Sequence, residues 1–249
     1  VYFLFGRSGL TKHTRERMDA VNRQVEALFQ RDSAVEKGLE KESRSAYLQS
    51  SYIDKWAGFP LYQNTQTKYY SCGEEMFPDM LEALRGAKHF IFLEYFIIEE
   101  GYMFNTILDI LEEKAKAGVD VRFIYDDVGS INSISFGYYK KLQERGIPCV
   151  TFNPFKPLIS VVMNNRDHRK IFVVDGYIGF TGGINLADEY INKVKRFGYW
   201  KDTGVRIEGE AVWSLTAMFL EMWNYINRST EDYLSLIHIS EPTRLRCIS

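Results

Sequence analysis

Residues 90–98 read FIFLEYFII, an almost unbroken apolar run. The run is short for a helix, and it lacks the apolar–polar alternation of a strand with one wet face. It predicts a strand buried on both faces. Such a strand sits inside a sheet that helices cover on either side. The neighbouring chain supplies those helices. Residues 104–117 have helical periodicity and stop at Gly118, and residues 138–145 do the same and stop at Gly146. Between them, residues 119–125 (VDVRFIY) alternate as a strand. Residues 148–152, Ile171–Val174, 177–181 and 204–207 predict further strands, two of them joined by a turn at Asp175-Gly176. Residues 211–227 predict a long aromatic-rich helix. The fold class is therefore α/β, a layered α/β/α sandwich. The unit does not repeat within the chain.

Chemistry concentrates where one of these strands begins. His168-Arg169-Lys170-Ile171-Phe172-Val173-Val174-Asp175 is followed by Gly182-Gly183-Ile184-Asn185. His168 and Lys170 are two residues apart, so on an extended chain their side chains share a face. Two cationic groups on one face at the mouth of an apolar strand call for an anion, and a phosphodiester is the natural one. Neutral imidazole is a nucleophile without negative charge of its own, which suits attack on phosphorus. Lys170 supplies a point charge for the phosphoryl oxygens. Asn185 offers an amide donor, and Gly183 lets backbone approach a phosphate closely. Asp175 is seven residues after His168, an odd offset, and is assigned to the turn rather than to direct attack.

Two more carboxylates are candidates for support. Asp202, in Trp200-Lys201-Asp202-Thr203, is placed to hold the second imidazole nitrogen. Glu94 lies inside the apolar run, where a carboxylate is costly unless paired. It either points to the site and orients Lys170 or a head group, or forms a salt bridge across the sheet. Asp126-Asp127 at a strand end is read as strand-end and capping residues rather than a metal pair. His13 and His89 are ordinary histidines.

The His168-to-Asn185 segment resembles the HxKxxxxD…G(G/S)xN signature of the phospholipase D superfamily. Its typed positions at fixed spacing arise by chance on the order of once in ten thousand chains or less. Phe92 to Ile97, Val121 to Asp127, Phe152-Asn153-Pro154, Thr181 to Tyr190 and Tyr199 to Thr203 are similar to bacterial cardiolipin synthases in particular. The resemblance covers essentially residues 1–233. It implies a phospholipase D-like sandwich with His168, Lys170 and Asp175 as the catalytic signature and Lys170, Gly183 and Asn185 around the substrate phosphate. It further implies no cofactor and no metal. Members of the family make cardiolipin from two phosphatidylglycerol molecules through a phosphohistidine. They carry two HxKxxxxD motifs in two similar halves, whereas this sequence has one. The missing partner is then the second catalytic half of the same chain, whose histidine would protonate the leaving alcohol.

The rest of the sequence bounds the setting. The formal charge of −2 gives no global basic field, which opposes nucleic acid as a partner. Cys72, Cys149 and Cys247 have no paired spacing, so neither a disulfide framework nor a zinc site is expected. Residues 1–5 (VYFLF), followed by Arg7, Lys12, Arg15 and Arg17, read either as a membrane helix leaving on the cytoplasmic side or as a short apolar terminus. Met18, Val21, Val25 and Leu28 then recur at helical spacing, as in a juxtamembrane helix or an ordinary surface helix, before a polar linker.

Residues 234–244 (LSLIHISEPTR) match the translation of a transposase sequencing adapter, and residues 245–249 fit its continuation. Residues 234–249 are therefore expected to be a non-native tail, His238 and Cys247 to carry no chemistry, and the natural protein to run on. The expected divisions are 1–46 (membrane end, juxtamembrane helix and linker), 47–233 (catalytic half) and 234–249 (tail). The expected setting is the bacterial cell membrane, with phosphatidylglycerol reached from the cytoplasmic side. Two rivals stand beside this reading: a homodimeric single-motif phospholipase D or phosphodiesterase, and an inactive membrane-associated phosphate-binding module.

Overall fold

The computed structural model describes residues 12–27, 29–154, 166–196 and 198–229. The expectations for residues 1–11, Leu28, the His13 side chain and the tail at 234–249 fall outside the described part. Three helices come first: α1 (Lys12–Glu26), α2 (Ser33–Glu42) and α3 (Arg44–Ala57). The α/β unit follows as β1 (Thr65–Tyr70), α4 (Gly73–Gly86), β2 (Phe90–Tyr95), α5 (Tyr102–Lys116), β3 (Asp120–Asp126), α6 (Tyr138–Glu144) and β4 (Cys149–Phe152). Then come β5 (Ile171–Val174), β6 (Ile178–Gly182), a 3₁₀ turn (Asp188–Ile191), β7 (Gly204–Gly209) and α7 (Val212–Asn227).

The strands form one seven-stranded sheet in the order β1-β7-β6-β5-β2-β3-β4. β2 is central, and all its residues are buried, as the apolar run requires. It runs parallel to β3 and antiparallel to β5, with Leu93 opposite Phe172 and Glu94 opposite Ile171. Alternation along these strands builds two cores. Ile91, Leu93, Tyr95, Phe172 and Val174 pack with the apolar faces of α4, α5 and α6. Phe90, Phe92, Ile171 and Val173 pack on the other face with α7, where Phe92 stacks on Phe219 at 4.7 Å between ring centroids. The α/β/α layering read from the sequence is the observed one.

The N-terminal region differs from expectation. The segment read as a polar linker holds α2 and the start of α3, and the division at 46/47 falls inside α3. Local capping explains this. The Asp32 side chain accepts from Ala34 N at 2.8 Å, the Ser43 side chain caps α3, and Gly58 closes α3 in the left-handed region. Val21 and Val25 of α1 are buried in the core beside α7, and Arg17 donates to the Tyr225 carbonyl while lying over its ring. The apolar stripe of α1 is thus spent on the domain. Among the described residues no helix is long and apolar enough to cross a membrane.

Asp175 holds the sheet together at the end of β5. It adopts φ +53°, in the left-handed region, and the hairpin turn begins there. Its carboxylate accepts three backbone N–H groups at the start of β2: Lys88 at 2.9 Å, His89 at 2.8 Å and Phe90 at 2.9 Å. At ~3.3 Å per residue, seven residues of extended chain put it roughly 20 Å from His168. Its hydrogen bonds give Asp175 the turn role expected for it: they fix the register of β5 on β2. Asp175→Ala removes three hydrogen bonds, of which only that to the partly buried Phe90 amide is shielded from water, and equilibrium urea unfolding should show a loss of about 2 kcal/mol.

Candidate active site

The site lies at the entry to β5. His168 is exposed and Lys170 is buried. The Lys170 ammonium donates to the His168 carbonyl at 2.9 Å and lies 3.2 Å from His168 Nε2. A charged ammonium has only donors, so this contact is a hydrogen bond in the tautomer whose Nε2 carries no proton. Phe96 braces the pair. Its ring meets the imidazole edge-on at 4.6 Å between centroids, and Lys170 Nζ sits 5.4 Å from its centre. The chain leaves strand conformation after Tyr95, which brings Phe96 to this position. Gly129 makes room for it: a Cβ at that position would lie 2.3 Å from the Phe96 carbonyl and 2.8 Å from its ring.

Burial pulls Lys170 down to about 8, although Asp202 and Asp167 oppose the fall. Asp202 thus acts on Lys170 through space. The expected hydrogen bond from Asp202 to the imidazole is absent among the described residues; the carboxylate instead accepts from its neighbour Thr203 N at 2.8 Å. The Gly182-Gly183 pair explains how it gets there. A Cβ on Gly183 would stand 2.0 Å from Asp202 Oδ1, and one on Gly182, at φ +148°, would stand 2.4 Å from the Thr203 carbonyl. The space at Gly183, expected to admit a phosphate, is taken by the Asp202 carboxylate. Asn192 sets the approach of this segment by exchanging two hydrogen bonds with Trp200, at 2.7 and 2.9 Å.

Asn185 is a bracket. Its side-chain oxygen accepts from Ile97 N at 3.0 Å, just beyond Phe96, and its amide donates to the Tyr190 hydroxyl at 2.8 Å. The amide has two N–H groups, so one is committed to Tyr190.

Glu94 resolves in favour of the salt bridge. It shares its face of the sheet with Phe90 and Phe92, opposite to Lys170, and pairs with Arg169 at 2.8 Å. Burial drives its carboxyl well above the usual carboxylate range, with Arg169 opposing. The orienting role for Lys170 is thereby withdrawn. Asp126 is fully buried and accepts from Gly129 N at 2.8 Å, from Asp167 N at 3.1 Å and from Arg166 at 3.2 Å. It is a strand-end residue, as read, and it anchors the motif's first turn rather than capping a helix. Sequence reasoning missed Phe96, Gly129, Arg169 and Tyr190. For Arg169 a signal existed: its odd offset from His168 puts it on the same face as Glu94.

A mixed sheet between helical layers, with a histidine–lysine pair at the mouth of a central strand, defines a phospholipase D-like domain. The family described as "Cardiolipin synthase, PLD-like domain" matches residues 80–223, and the chain belongs to it. A cardiolipin synthase from Alkalihalophilus pseudofirmus is 44% identical over 180 residues, 71% of this chain and 36% of that protein. A cardiolipin synthase from a Geobacillus species is 38% identical over 245 residues, 95% of this chain and 48% of that protein. A Streptococcus mutans protein is 45% identical over 87% of this chain and 48% of its own length. The chain thus spans about half the length of these relatives, or less. Among solved structures, NucT from Helicobacter pylori shares the fold, with a TM-score of 0.51 at 11% identity, over 65% of this chain and 98% of that one.

The electrostatics of Lys170 are directly measurable. With its Cε labelled for NMR, Lys170 should titrate with a midpoint near pH 8. In Asp202→Asn the midpoint should fall further, because the lost carboxylate favoured the ammonium.

Proposed function

We propose that this chain is one catalytic half of a phosphatidyltransferase that makes cardiolipin from two phosphatidylglycerol molecules. The observation that carries the reading is the exposed His168 ring with Nε2 turned to the buried Lys170. Nε2 attacks the phosphorus of the first phosphatidylglycerol. The P–O bond to glycerol breaks, and a phosphatidyl-histidine forms. The departing glycerol takes a proton from a general acid, assigned to the histidine of the second half. The 3′-hydroxyl of the second phosphatidylglycerol then attacks phosphorus and gives its proton to that same histidine, now a neutral base, and the N–P bond breaks to yield cardiolipin and free His168. Lys170 leaves Nε2 when substrate binds and turns its charge to the non-bridging oxygens. The second N–H of the Asn185 amide is the donor left for the phosphate. Asp202 keeps Lys170 protonated, and Asp175 acts only through the sheet. The domain works against the cytoplasmic side of the bacterial membrane, where its substrate lies.

The test is to assay the full-length enzyme with phosphatidylglycerol labelled in its phosphate. The wild type should form cardiolipin and, on rapid quenching, a labelled phosphohistidine; His168→Ala should form neither. Phosphatidic acid without cardiolipin would make it a hydrolase. A second outcome follows from Lys170. The reaction needs the ammonium, which is lost above its midpoint, so kcat/KM should fall on the alkaline side with a midpoint near pH 8. Lys170→Arg keeps its charge throughout this range, and its residual activity should show no such fall.

A further inference from the structure

Residues 167–170 are Asp, His, Arg and Lys in succession, just ahead of β5, and their contacts sort them by parity. His168 and Lys170 emerge on the site face. Asp167 and Arg169 emerge on the face of α7, where the site chemistry does not reach. There the Arg169 guanidinium forks onto Asp167, Nε to Oδ1 at 2.9 Å and Nη2 to Oδ2 at 3.1 Å, and its Nη2 also meets Glu94 Oε1 at 2.8 Å. Glu94 and Asp167 are both buried. Asp167 is tied down in turn, its backbone N–H donating to Asp126 at 3.1 Å. Burial alone would raise Asp167, but its neighbours Glu94 and Arg169 hold it below its ordinary value. Two rigid anchors, β2 through Glu94 and β3 through Asp126, therefore seize the two residues that flank His168.

We propose that Arg169 is a positioning residue: its clamp to Glu94 and Asp167 on the α7 face sets where His168 and Lys170 project on the other. The inference rests on reading His168 as the attacking group. The mechanism is covalent geometry. A side chain held on one face of an extended chain fixes the peptide planes on both sides of it, and these carry the Cα atoms of residues 168 and 170. Lysine at position 169 would keep the charge but lose the planar fork that spans two carboxyls. Displacement of His168 by a fraction of an ångström would cost turnover more than binding, since phosphate is also held by Lys170 and Asn185.

The test compares wild type, Arg169→Lys, Arg169→Met and Asp167→Asn in the full-length enzyme. In variants that unfold at a midpoint near that of the wild type, kcat should fall between about ten- and a hundredfold. KM for phosphatidylglycerol should stay within a factor of about two, the signature of lost transition-state alignment. Arg169→Lys should not restore kcat. The His168 ring resonances, read by ¹⁵N-imidazole NMR without substrate, should shift in each variant. Unchanged kcat in folded Arg169→Lys and Asp167→Asn would overturn the proposal. A loss that merely tracks the folded fraction, with His168 resonances unmoved, would also overturn it. If wild type makes no cardiolipin, the functional reading fails, and the His168 resonances alone decide the clamp.

Discussion

A buried ammonium is the constraint from which the site follows. Lys170 sits at the edge of an apolar strand, and removing its charge from water is expensive unless other groups replace the solvent. The structure provides the His168 carbonyl and Nε2, the face of Phe96 and the fields of Asp202 and Asp167. Two of these have a sequence cost elsewhere. Phe96 requires glycine at 129, and Asp202 requires glycine at 183. The balance is incomplete, which is why burial still pulls Lys170 down to about 8. An incompletely solvated cation is ready to bind an anion. The same shortfall that weakens the resting ammonium strengthens its attraction to a phosphate that enters without its water.

Legibility divides along physical lines. The sheet and its layers were readable because burial on two faces leaves the continuous run at 90–98 and because helices ended near Gly118 and Gly146. His168 and Lys170 were readable because a two-residue spacing on a strand means a shared face. Contacts made through loops were not. Asp202 was found by its place after Trp200-Lys201, but its partner was misassigned, because nothing in the sequence says that Gly183 leaves a space for a carboxylate. The capping residues Asp32, Ser43 and Gly58 were visible, yet the helices they bound bury no residue, and α2 read as linker. β1 went unread because its sequence, TQTKYY, belongs to an exposed edge strand. Asp175 shows the limit of motif reading: its spacing ties it to His168, while its hydrogen bonds tie it to β2.

The four residues 167–170 also show how one short segment carries two charge networks without mixing them. Asp167 and Arg169 could neutralise His168 and Lys170 if all four faced one side, and the site would lose its anion preference. Alternation prevents this. The carboxyls of Glu94 and Asp167 are turned to the α7 core with Arg169 as their cation, and the site face keeps a cation with one nearby carboxylate. Glu221 of α7 lies in the field of Arg169 as well, and burial pushes it up to about 7. Adding negative charge at Glu221 is therefore resisted near neutral pH. Asp167 still favours the Lys170 ammonium through space, and apolar side chains between the networks leave that field little screened; the backbone of residues 167–170 is the second route of coupling. A change on the α7 face then reaches the site as displacement as well as charge, and displacement is how a residue on the blind side of the strand gains a hold on the imidazole.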